Sequence, residues 1–166
     1  MDYSVFSERY ETVRLTEDQT EEIYILCRKN PLYYRHCPPF VTRESIAEDM
    51  KALPPDKEMS DKYYLGFYEG RKLIAVMDLI DGYPDRETAF IGFFMTEASL
   101  QKRGIGSGII QSLGLSLKRQ GYRNIRLGWV STNPQAQHFW HKNGFTETGI
   151  TYHTGAYTVV VAQKIL

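Results

Sequence analysis

Cysteine is almost missing from this chain: Cys27 and Cys37 are the only two in 166 residues. That is too few for a disulfide framework, and as ordinary half-buried thiols they suit a reducing compartment. His36 stands beside Cys37, but two further ligands at a familiar spacing are missing, so no metal centre is expected. Charge of one sign is also lacking. Lys and Arg number 20, as do Asp and Glu, and no run of like charge stands out. Such a balance gives no electrostatic support for binding nucleic acid or an anionic membrane. No apolar run approaches the roughly twenty residues that a membrane helix needs, and Met1-Asp2-Tyr3 does not open a signal peptide. A cytoplasmic protein is therefore expected. Repeats, linkers and low-complexity segments are absent, and the length fits a single domain over residues 1–166.

What the chain does have is a glycine-rich turn leading into a strongly periodic helix, LQKRGIGSGIIQSLGLSLKRQG, from Leu100 to Gly121. Ile105, Ile109, Leu113 and Leu117 recur every four residues, the stripe of an amphipathic helix buried on one side. Lys118, Arg119 and then Gly121 form the expected stop, cations at the carbonyl pole followed by a residue that accepts the left-handed conformation. At the other end, Gly104, Gly106 and Gly108 fall where amides have no partner within a helix and the dipole is positive. Backbone alone can hold an anion there.

Spacing narrows the identity of that anion. A Walker A loop needs Gly-Lys-Ser/Thr, and Gly106 is followed by Ser107 and Gly108 instead. A dinucleotide fingerprint fits Gly104 and Gly106 but meets Ile109 where its third glycine belongs. Gln101, Gly104 and Gly106 after an apolar strand do fit Q/R-x-x-G-x-G/A. That pattern resembles the coenzyme A pyrophosphate loop of the GNAT (GCN5-related N-acetyltransferase) superfamily. A second block, NPQAQHFWHKNGF, resembles the N-x-x-A-x-x-F-Y-x-K-x-G-F segment of that superfamily, with Asn133, Ala136, Phe139, Lys142, Gly144 and Phe145 in register. It departs at Trp140, which replaces the usual tyrosine near the leaving thiolate, and indole is not a proton donor at ordinary pH.

Elsewhere, Val13 to Leu15 form a first strand, and Thr16 with Gln19 caps a helix carrying Ile23, Leu26 and Cys27, which Pro31 stops. PLYYRHCPPF reads as a loop, and Thr42 opens a second helix that ends at Pro54-Pro55. Lys62 to Tyr68 and Lys72 to Ile80 form an antiparallel hairpin about Gly70. Asp78 shares a strand face with Ile74, Val76 and Ile80. Its carboxylate is either at a wet edge, feeding Asp81 and the loop, or held by a partner, since burial alone is too costly. The first is the preferred reading. Ala89 to Met95 is apolar throughout, as in a strand covered on both faces. With the long helix and Asn124 to Val130 it makes a parallel pair. Pro134 opens a helix for which Asn133 is the N-cap. Phe145 to Thr154 and Tyr157 to Ile165 close the chain as a hairpin.

The resemblance implies an α/β fold: a central mixed, largely antiparallel sheet of about seven strands with a splayed parallel pair, flanked by about four helices. It implies an acetyl-CoA-dependent N-acetyltransferase acting on a primary amine of a small molecule or peptide, with a homodimer possible for the fold. A non-catalytic acyl-CoA sensor on the same fold is the alternative, kept open by Trp140. The cofactor residues implied are Met95, Thr96, Gln101, Lys102, Arg103, Gly104, Ile105, Gly106, Ser107, Asn133, Ala136 and Trp140. Candidate acceptor contacts are Tyr33, Tyr34, His36 and Asp78; the alternative for the aromatic residues is that they cover the core edge. Candidate proton-transfer groups are Tyr152 and Asp78, with His141, His138 and Glu97 behind them. The carboxylates Asp78, Asp81, Asp85 and Glu87 are a possible attraction for a cationic amine.

Overall fold

The computed structural model describes residues 1–166. A seven-stranded sheet runs in the order β1-β2-β3-β4-β5-β7-β6. Its strands are β1 (Glu11–Arg14), β2 (Lys62–Glu69), β3 (Lys72–Ile80), β4 (Thr88–Thr96), β5 (Asn124–Val130), β6 (Thr146–His153) and β7 (Thr158–Ile165). All neighbours are antiparallel except β4 and β5. The strand alternations place apolar residues on both sheet faces, and each face is covered by helices. On one lie α1 (Thr20–Cys27), α2 (Pro31–His36) and α3 (Arg43–Asp49), whose Ile23, Leu26, Ile46 and the adjoining Met50 pack with Leu15, Val76 and Met95. On the other lie α4 (Ile105–Arg119) and α5 (Pro134–Lys142), together with the N-terminal segment. Phe6, Tyr10, Ile109, Leu113, Leu117, Ile125 and Leu127 meet there.

Pro31 is the one punctuation mark that reads differently in three dimensions. Instead of only stopping α1, it occupies the first turn of a six-residue helix, α2, within the stretch that the sequence presents as a loop. Proline lacks the amide that a helix start leaves unpaired anyway, and its fixed φ suits that position. α2 is the fifth helix, where about four are expected.

Both long sheet-covering helices end in the same way. Past α4, Gly121 (φ +94) and Tyr122 donate to the carbonyls of Lys118 and Leu117. Past α5, Gly144 (φ +85) and Phe145 donate to those of His141 and Trp140. This is the Schellman arrangement, which brings the residue after glycine against the last turn. Phe145 accordingly meets Trp140 with ring centroids 5.1 Å apart. The Gly-Phe pair of the second sequence block is thus a helix stop with its apolar clasp.

Candidate functional site

Pairing between β4 and β5 covers only Thr88–Ile91 against Asn124–Leu127. Beyond Ile91 the strands part. The register against β3 jumps from Leu79↔Ile91 to Asp78↔Phe93, so Gly92 is an extra, unpaired residue, a bulge that turns β4 away from β5. Gly92 is exposed, and Phe93 and Phe94 are only half-buried. Full cover of this strand, expected from its composition, therefore fails where the sheet opens.

Behind the bulge stands Asp78, on the face covered by α1 to α3. It is not an edge residue. Its Oδ2 accepts from Lys62 Nζ at 2.8 Å, and that ammonium also donates to the Ala52 carbonyl at 2.8 Å. The side chains are 1% exposed for Lys62 and 13% for Asp78, so the second alternative, a held carboxylate, is the one realised. Asp78 Oδ1 has no hydrogen-bond partner. Burial pushes the Asp78 carboxyl up to about 6, with Lys62 acting against the shift. A Cβ built on Gly92 would come within 2.6 Å of Asp78 Oδ2. Gly92→Ala is therefore expected to turn the carboxylate off Lys62, at a cost of about 1–2 kcal/mol in stability; thermal unfolding of the variant checks this.

The loop after β4 is built from backbone. Amides from Lys102 through Ser107 donate to no carbonyl or side chain of the protein; the ladder resumes with Gly108 N to Gly104 O at 2.9 Å. Two residues of left-handed φ shape the row, Lys102 at +60 and Gly104 at +80. A Cβ at Gly104 would touch nothing within 4 Å, whereas at Gly106 it would meet Phe139 at 3.2 Å and Thr96 at 3.4 Å. The two glycines therefore do different work: Gly104 provides the turn and open space, Gly106 the close seat of α4 on α5. Lys102 and Arg103 are exposed, and Ile105 and Ser107 half-exposed, at this pole. Gln101 points inward to Asn30 and Thr96. Beside the loop, Arg9, Tyr10, Arg103, Gly104 and Ser112 line a groove of about 190 Å³.

Across the opening, Asn133 ends the turn after β5, and its Oδ1 accepts from Ala136 N at 3.1 Å, so its N-cap role is realised. Its Nδ2 has no acceptor within the protein. Met95 is buried, and the Thr96 carbonyl receives the Asn30 and Gln101 amides. Trp140 is buried in an aromatic cluster with Phe94, Phe139 and Phe145.

α2 roofs the other side of the opening. Tyr33 meets Phe93 and Tyr34 edge-on, with centroids 5.6 and 5.0 Å apart, and Tyr34 meets Phe40 at 5.1 Å. His36 Nδ1 lies 3.1 Å from Thr132 Oγ1, and the Cys37 thiol donates to the Tyr157 hydroxyl at 3.3 Å. Burial holds the Tyr33 hydroxyl well above its ordinary range. Hydrogen bonding to Cys37, followed by burial, pushes Tyr157 up to about 12. Thus α2, the β5–α5 turn and the β6–β7 hairpin form one rim.

Not every candidate is brought there. Tyr152 is 59% exposed on β6, the outermost strand. Its partner Val159 pairs with Val130, which puts Tyr152 two strand spacings, about 10 Å, from β5. Glu97 is occupied with Ser99 and Lys29. His138 is exposed, and His141 lies 3.5 Å from Glu147. The acidic group divides: Asp81 accepts from the Tyr122 hydroxyl, Asp85 from Thr88 and Glu87 faces Arg123. These sit at the start of β4, at the far end from the glycine turn, and Asp78 alone of the four stands at the bulge. Lys62, Gly92, Asn30 and Tyr157 are the site's additions to the sequence-derived set.

No group of His, Cys, Asp or Glu side chains is arranged to hold a metal ion, and no helix is long and apolar enough to cross a membrane.

Comparison with known proteins follows the same line. A family model described as the Acetyltransferase (GNAT) family matches residues 15–145. No curated protein sequence matches the chain. Among solved structures, an acetyltransferase from Thermus thermophilus superposes with a TM-score of 0.76 at 20% identity, over 95% of this chain and 97% of that one. A Salmonella typhimurium acetyl transferase, described as modifying the N-terminal serine of 50S ribosomal subunit protein L7/L12, gives 0.76 at 18% identity, over 97% of both chains. The PaiA N-acetyltransferase of Thermoplasma acidophilum, in complex with coenzyme A, gives 0.68 at 18% identity, over 95% of this chain and 99% of that one. At these identities the likeness is one of fold.

Proposed function

The chain belongs to the GNAT acetyltransferase family, and from that premise we propose that it moves an acetyl group from acetyl-CoA to a primary amine of a small molecule or peptide, by direct attack with both substrates bound. The observation that carries the reading is the row of unbonded amides from Lys102 to Ser107 at the head of α4. Oriented N–H groups at a helix pole suit a diphosphate, and Gly104 leaves the approach clear.

Acetyl-CoA supplies the thioester carbonyl that is attacked. The residues of the chain supply position. Lys102 to Ser107 would hold the diphosphate by backbone, with Lys102 and Arg103 adding charge. Met95 and Thr96 border the opening beyond Ile91, where the pantetheine arm of acetyl-CoA would run and where a backbone amide would polarise the thioester carbonyl. Asn133 and Ala136 would flank that arm from the β5 side, with the buried Trp140 behind them. Asn133→Asp keeps the cap but removes the Nδ2 donor: an unchanged melting temperature and CoA affinity several-fold weaker are expected by thermal unfolding and titration.

Tyr33, Tyr34 and His36 border the acceptor. An amine has to lose its proton before attack, and Asp78 is the base that we assign, directly or through water. Its buried Oδ1, which has no partner in the protein, its place behind the exposed bulge and a carboxyl pushed up to about 6 all support that role. A departing thiol with a pKa near 8.5 needs no enzymic acid, so neither Trp140 nor the remote Tyr152 has to act as one.

One observation favours a second reading, an acyl-CoA sensor: the position near the leaving group holds Trp140, buried among rings and without a titratable hydroxyl. Thiol-reagent detection of CoA release over a panel of amines separates the two. Turnover with any amine supports the transferase; tight CoA binding with no turnover supports the sensor.

A further inference from the structure

We infer that Asn30 is a positioning residue that sets the shape of the cofactor loop, an inference that rests on the reading of that loop as the CoA diphosphate site. Asn30 is 8% exposed and immediately precedes α2. An asparagine there ordinarily uses its side chain to cap the first amides of the helix, and this one does not. Its side chain turns the other way. Nδ2 donates to the Leu26 carbonyl at 3.1 Å and the Thr96 carbonyl at 3.4 Å, and Oδ1 accepts from Gln101 Nε2 at 2.5 Å. Gln101 Nε2 also reaches the Thr96 carbonyl at 3.4 Å. The end of α1, the end of β4 and the first residue of the loop are therefore held together through one buried amide.

The next residue shows why such a hold is required. Lys102 has φ +60 without being glycine, a conformation that persists in an L-residue only where the surroundings impose it. Between the anchored Gln101 and the left-handed Gly104 (φ +80), the chain has to turn there for the amides of Lys102 to Ser107 to face outward together. Asn30 touches none of those amides, so it acts through Gln101 and not on the ligand.

The test is a double-mutant cycle on the full chain, with CoA dissociation constants measured by titration calorimetry. Asn30→Ala and Gln101→Ala should each weaken CoA by about tenfold, and the double variant should be no weaker than either single one, because the same contact is lost each time. With an amine that turns over, the loss should fall on the KM for acetyl-CoA more than on kcat. Asn30→Ala also removes the bond to the Leu26 carbonyl, so thermal unfolding is read beside it; Gln101→Ala leaves α1 untouched and should show the same weakening. Unchanged affinity in either single variant, or losses that multiply in the double one, overturns the inference. If the wild type itself fails to bind CoA, the diphosphate reading falls, and the inference with it.

Discussion

Gly104→Val is expected to weaken CoA binding by about a hundredfold or more while the protein stays folded. Two costs coincide at this position. Valine is β-branched and would have to adopt φ +80, a region that costs an ordinary L-residue about 1–2 kcal/mol and a branched one more. If the loop keeps its shape, the new methyl groups fill the space that is now open around Gly104, in front of the donors. If the loop relaxes, the amides no longer point together. Either way the diphosphate loses several hydrogen bonds to a charged group, each worth about 1.5–3 kcal/mol, so a hundredfold is a modest expectation. Gly104 is exposed, so circular dichroism should be unchanged and the melting temperature should fall only by the few degrees that such strain costs. Titration calorimetry gives the affinity. Wild-type affinity in this variant would mean that the anion sits elsewhere.

Asp78→Asn is expected to reduce kcat by about 10²–10⁴, the range general-base catalysis contributes. Asparagine preserves the outline but cannot accept the ammonium proton. The sign of the pH dependence follows from the carboxyl at about 6. A base works ionised, so wild-type kcat/KM should climb as pH rises through about 6 and then level, and the variant should lack that limb. Removing one charge of a buried pair also leaves Lys62 uncompensated, so some stability is lost; assays well below the melting temperature separate this from chemistry. A variant that keeps both its rate and its acid limb would assign the proton to another group.

The parts legible from sequence are those written into a short run of backbone. The turn at Gly104, the α4 stripe and the Gly144-Phe145 helix stop are all local, with physical demands a few residues apart. The parts not legible are pairs whose members are distant along the chain. Lys62 meets Asp78 over 16 residues, Asn30 meets Gln101 over 71, and Cys37 meets Tyr157 over 120. No spacing rule connects them, which is why Asp78 reads as an edge residue until the strand beside it is known. α2 is hidden for another reason: proline signals both an end and a beginning, and only the packing of Tyr33 on Phe93 decides between them.

The N-terminal segment carries a consequence for biosynthesis. Ser116 donates to the Val5 carbonyl across 111 residues and Asp2 bonds Gln120 across 118, while Phe6 and Tyr10 complete the cluster around α4. At a translation rate of about 5–20 residues per second, Phe6 leaves the ribosome roughly 6–20 seconds before the helix that covers it. For that interval Phe6 and Tyr10 can meet only the β2 to β4 part of their cluster, Leu65, Phe67, Ile74, Met77 and Ile91, and their α4 side stays open to a chaperone.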